Sequence, residues 1–206
     1  MKRNAMLILT AILIVLMQSA CSPANSVDEG KEYIMPRYLV SWHGPEYTAQ
    51  DVVAGFRENN NDTNNYVDVY ANEDGTVSLV MNPDQVAAMR DSCTQMIVWA
   101  QDMAAGRDCE MKVSEDRTAF SYKVRAGLSH AQRVTPLSMV QTACIFDQIL
   151  SDVDAEALSL SYEIYNAESG ELIASGTLPR DSLDQVEIAD SESLGLTQSF
   201  YVNSGY

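Results

Sequence analysis

The sequence predicts an α+β domain: a two-layer structure whose mainly antiparallel sheet is built from repeated β-hairpins, with helices packed on one face. Three observations carry that expectation. Alternating apolar and polar runs flank short turns at Glu73-Asp74-Gly75, Glu115-Asp116-Arg117 and Glu168-Ser169-Gly170, and tight turns make the flanking strands antiparallel. Longer segments with apolar residues at helical spacing stand between these hairpins. Strands and helices each need an apolar surface covered, so interleaved helices cover one sheet face and leave the other wet.

The elements follow in chain order. Residues 1–20 read as an export signal: Lys2 and Arg3 precede AMLILTAILIVLM, apolar apart from Thr10. That run is shorter than the roughly 20 residues that span a bilayer. Residues 21–35 read as a tether, because SPANSVDEGKE is polar and carries Pro, Gly and Ser. Residues 36–206 are then a single domain, long enough for a core of its own. YLVSW, residues 38–42, reads as its first strand. Thr48 and Asp51 form a capping-box-like start to a helix over 48–58, with Val52, Val53 and Phe56 on its apolar side. The Asn-rich run NNNDTNN is a loop. The hairpin YVDVYANEDGTVSLVMN comes next. Asn82 as N-cap, Pro83 at the first helical position and Asp84 in the first turn then open a long helix. Met89, Cys93, Met96, Ile97 and Ala100 line its buried side, and Gly106 ends it. A second hairpin, CEMKVSEDRTAFSYKVRA, precedes a helix opened by Thr135-Pro136, with a short helical turn over 128–133 before it. Leu137, Val140, Cys144, Ile145 and Ile149 form that helix's apolar face. The third hairpin is LSLSYEIYNAESGELIASGTLP; an acidic helix at DSLDQVEIADSE and an edge strand at LTQSFYVN close the chain.

Two hairpins align without a gap, Val69–Val77 with Ile164–Leu172. Shared turn chemistry accounts for this more simply than duplication, because such hairpins select Gly after a polar residue.

The end of the export signal, Gln18-Ser19-Ala20-Cys21, resembles the lipobox of bacterial lipoproteins. Small residues stand just before the cysteine, while Gln18 occupies the position where that family usually carries Leu. The resemblance implies cleavage before Cys21, lipid attached to Cys21, and a place in the bacterial cell envelope on the extracytoplasmic side. An ordinary cut after Ser22-Pro23-Ala24 is the rival reading.

Charge and cysteines bound the function. The chain has 13 Lys and Arg against 29 Asp and Glu, a net charge of −16. Nucleic-acid binding needs a basic face, which this composition excludes. Twelve acids and one base, Arg180, fall between Asp147 and Glu192, and read as a solvated face. Export permits disulfides. With Cys21 lipidated, Cys93, Cys109 and Cys144 remain, an odd number. A bridge between Cys93 and Cys144 is the first expectation, Cys93 with Cys109 the second, and buried free thiols the alternative to both.

Residues suited to chemistry are sparse. His43 and Glu46, in SWHGPEY, form the one candidate small site, at a strand end entering a turn. His130 is the other histidine, and a Cys144–His130 nucleophile pair is opposed by Cys144's place on an apolar stripe. No G-x-S-x-G, P-loop, G-x-G-x-x-G, HExxH or paired CxxC motif occurs. Asp152 to Glu163 has the outline of an EF-hand loop, but Ala157 stands where the sharp turn needs Gly. Met89, Met96 and Met103 stand seven apart, roughly 10 Å along a helix, too far to share one metal. No metal and no cofactor is therefore expected. The expected function is that of a membrane-tethered, non-catalytic binding or accessory module. It would meet the membrane through Cys21 and a protein partner through a sheet face or edge strand. The alternative is an extracytoplasmic, hydrolase-like enzyme with its site near His43.

Overall fold

The computed structural model describes residues 30–41, 47–59 and 64–178. The predicted export signal, Cys21, residues 42–46 and the predicted elements beyond residue 178 lie outside them.

Strand β1, Lys31–Met35, leads to a one-turn helix α1, Arg37–Ser41, and to α2, Ala49–Asn59. Hairpin β2 (Asp68–Ala71) and β3 (Val77–Met81) follows. Helix α3, Pro83–Ala105, hairpin β4 (Glu110–Val113) and β5 (Ala119–Val124), and helix α4, His130–Leu150, come next. Hairpin β6 (Leu160–Asn166) and β7 (Leu172–Leu178) is the last described.

The class is α+β and the pairing mainly antiparallel, as predicted. The strands, however, divide between two sheets. One has the order β1-β3-β2 and the other β4-β5-β6-β7. β5 and β6 run parallel, joined across α4; a helical crossover returns the chain to the same end of the sheet, which a turn cannot do. Helices α3 and α4 pack on each other, α2 packs on β2, and the buried residues of all these elements form one hydrophobic cluster.

Three local signals work as read. Thr48 and Asp51 cap α2 reciprocally: the Thr48 amide donates to Asp51 Oδ2 at 2.8 Å, and the Asp51 amide to Thr48 Oγ1 at 3.3 Å. Asn82 and Gln85 form a full capping box on α3. Met89, Cys93, Met96, Ile97 and Ala100 are all buried.

Two expectations need correction. The predicted first strand, YLVSW, supplies helix α1, and the strand is KEYIM, placed by the sequence in the tether. Leu39 and Val40 are adjacent and both buried. Neighbouring strand residues face opposite ways, whereas a helical turn brings two adjacent residues toward one side. Pro36 starts that turn by accepting the Leu39 amide at 3.0 Å. KEYIM instead alternates, with Tyr33 and Met35 inward.

Helix α4 opens at Ser129, six residues before the predicted start, through a capping box with Gln132. Pro136 therefore lies inside the helix. Its missing N–H leaves the Gln132 carbonyl without the usual helical donor. Arg107 fills the vacancy: its Nη1 donates to Gln132 O at 2.9 Å.

The two aligned hairpins turn differently. Asn72 closes the first, its amide donating to Thr76 O; Asn166 closes the third, donating to Glu171 O. The third loop is one residue longer, which supports shared turn chemistry over duplication. Gly75 and Gly170 supply the positive φ, +84° and +74°, in each.

Candidate functional site

The two sheets treat their outer faces oppositely. On the four-stranded sheet, Met111, Phe120, Tyr122, Tyr162 and Ile164 point inward and are buried. Its outer face is mainly polar and paired within itself, with the half-exposed Leu172 beside Tyr165 at one end. Lys112 and Lys123 reach Glu110 at 2.6 and 2.7 Å, and these bonds draw the Glu110 carboxyl down to about 2. Tyr165 donates to Glu163 at 2.8 Å. Glu163, the last ligand of the EF-hand outline, stands within strand β6.

The three-stranded sheet is different. Its inner face buries Tyr33, Met35, Val69, Val77, Leu79 and Met81. Register places Glu32, Val80 and Asp68 in one row of the outer face, and Ile34, Ser78 and Tyr70 in the next. Ile34 is 49% exposed, Tyr70 38% and the adjoining Val67 54%. An apolar surface of this kind on an antiparallel face is what an interaction site looks like, since solvated faces are ordinarily polar.

A fixed polar network crosses that surface. The Tyr70 hydroxyl on β2 donates to Glu32 Oε1 on β1 at 2.8 Å. Because Tyr70 sits opposite Ser78 and Glu32 opposite Val80, the Tyr70 side chain lies diagonally over β3. Ser78 is fully buried beneath it. Asn72 Nδ2 in turn donates to Ser78 Oγ at 2.8 Å and to Thr76 Oγ1 at 2.9 Å. The Ser78 and Tyr70 hydroxyls stabilise the carboxylate and hold its pKa below the ordinary value. The same bond raises the Tyr70 phenol. Glu32 is thus an oriented anion at the margin of an aromatic and aliphatic surface.

A second cluster is structural. Asp147 of α4 is buried, and its Oδ1 lies 2.9 Å from Arg90 Nε on α3 and 2.7 Å from Arg117 Nη1 in the β4–β5 turn. Arg117 also donates to Thr94 Oγ1, and Gln148 Nε2 to the Arg117 carbonyl. The node ties one hairpin turn to both long helices.

The predicted site residues fare as follows. Cys21, His43 and Glu46 lie outside the described residues. Cys93 and Cys144 face the core from α3 and α4; they and Cys109 are buried free thiols in this structure. Burial pushes the Cys144 thiol up to about 12 and raises Cys93 further. His130 opens α4 at its first position. Among the described residues no group of three or more His, Cys, Asp or Glu side chains is placed to hold a metal ion, and no helix is long and apolar enough to cross a membrane. The Glu32–Tyr70 platform escaped sequence reading because its partners stand 38 positions apart. The one available signal was polar-apolar alternation in KEYIM and DVYA. No protein family, curated protein or solved structure matches the chain.

Proposed function

We propose that the protein is an exported lipoprotein, tethered through lipid on Cys21, that acts as a non-catalytic binding or accessory module of the cell envelope. The lipobox-like Gln18–Cys21 supports the address. The observation that carries the binding role is the outer face of the three-stranded sheet, where Ile34, Val67 and Tyr70 stand exposed around a fixed carboxylate. A face that merely met water would gain nothing from displaying these side chains. β1, which carries Glu32 and Ile34, is also, among the described residues, an edge of its sheet, and an edge strand offers a partner free backbone groups.

The test is photo-crosslinking in cells, from an unnatural side chain placed at Ile34 or, as the opposite-sheet control, at Ser161. A defined protein adduct from Ile34 and none from Ser161 is the expected result. Equal labelling from both positions, or from Ser161 alone, removes this face as the binding surface. The intact mass of the membrane-extracted protein checks the tether: an unmodified Cys21 behind a retained signal defeats the lipoprotein reading.

A further inference from the structure

We propose that the outer face of the three-stranded sheet receives an extended segment of a basic protein, with an Arg or Lys side chain laid over the Tyr70 ring and its charge against Glu32. The inference rests on the reading of this face as the binding surface and adds the chemistry of what binds.

Three features of the platform select a cation. First, Glu32 is held in place by the Tyr70 hydroxyl. An ionised carboxylate offers about four lone-pair positions, so acceptor capacity remains for donors arriving from outside. Second, the Tyr70 hydroxyl is committed to Glu32 across β3, while the side chain stays 38% exposed. A cation over an aromatic face, within about 6 Å of the ring, is attracted by its quadrupole. Third, Ile34, Val67 and Val80 supply apolar surface beside the charge. Lys and Arg carry a long aliphatic stem behind the charged head and cover such surface while the head reaches an anion.

The backbone adds direction. β1 pairs with β3 on one side and, among the described residues, forms the sheet edge on the other. β2, the opposite edge, is already capped by Arg57, whose Nη2 donates to Val69 O at 2.8 Å. A strand added beside β1 would place alternate side chains on the outer face, next to Glu32 and Ile34. At a net charge of −16, the molecule also steers basic partners inward.

The test titrates the full chain with a synthetic peptide of four Arg-Val repeats, capped at both ends, and follows binding by calorimetry. Saturable one-to-one binding is expected. Glu32→Gln should weaken it about tenfold or more, as loss of one member of a close charge pair does. Ile34→Arg, which leaves the Tyr70–Glu32 bond intact, should weaken it as well. Glu110→Gln, on the other sheet, should change nothing. Equal weakening by Glu32→Gln and Glu110→Gln would mean attraction to net charge alone and would overturn the proposal. So would binding of a neutral N-acetylglucosamine tetrasaccharide in place of the peptide. A protein crosslinked from Ile34 through a segment without Lys or Arg keeps the binding face and overturns the cationic partner.

Discussion

At the scale of single residues, the molecule separates a charge that holds it together from one that is displayed. Asp147 and Glu32 are both carboxylates fixed by side chains from other elements, yet their surroundings differ. Asp147 is buried between Arg90 and Arg117, and such a group is strongly destabilising to remove because its partners are left as uncompensated charge. Arg90 is about half exposed and keeps its water; Arg117 is mostly covered. Asp147→Ala is therefore expected to lower stability by about 3 kcal/mol, toward the lower end for a broken buried pair. Urea unfolding read by circular dichroism checks this, and a loss under about 0.5 kcal/mol would place the node among ordinary surface pairs. Glu32 lies at an exposed face, and the Tyr70 hydroxyl orients it without neutralising it. Replacing it should leave the fold standing, which is what makes it usable as a probe of binding.

At the scale of elements, the signals that could be read in the sequence are the local ones. Asn82-Pro83 opens α3 and the Gly75 and Gly170 turns close their hairpins because cap and turn chemistry acts within four or five residues. What could not be read is decided at long range. YLVSW has strand-forming residues, but the core needs Leu39 and Val40 on the same side, and packing overrides propensity. The division into two sheets, the parallel β5–β6 pair and the Tyr70–Glu32 bond depend on contacts that spacing does not encode. Helix α4 shows the two ranges in competition: Thr135-Pro136 looked like a start because Pro suits a first turn, yet the Ser129 box won. A distant side chain, Arg107, relieves the resulting gap in the helical ladder. The expected effect of Arg107→Ala is a loss of about 1 kcal/mol, the net value of one hydrogen bond. In a Pro136→Ala background the new amide can take the Gln132 carbonyl, so the same substitution should cost clearly less. A double-mutant cycle reads the difference directly; additive losses would show that Arg107 does not stand in for the proline's missing donor.

At the scale of the whole molecule, the two long helices hold the question of redox state, because Cys93 and Cys144 face the same core from α3 and α4. Global stability against pH can answer it. Burial raises both thiols above their ordinary value of 9.0, Cys144 to about 12. Below pH 9 the thiols are protonated in both folded and unfolded chains and stability does not depend on them. Above it the unfolded chain ionises while the folded one holds its protons, so stability falls as pH rises toward the folded values. Each free buried thiol contributes a slope of about 1.4 kcal/mol per pH unit inside that window. The phenols of Tyr66 and Tyr122 also have raised values, but their ordinary value of 10.0 puts them later, so the interval from pH 9 to 10 reports mainly on the thiols. If the protein keeps them reduced, the alkaline limb should be present and should flatten in a Cys93→Ala, Cys144→Ala variant. If α3 and α4 are joined by the Cys93–Cys144 bridge, neither sulfur can ionise, the limb should be shallow from the outset, and reductant should restore it. Unfolding curves between pH 8 and 10, with and without reductant, distinguish a core closed by packing alone from one locked by a disulfide.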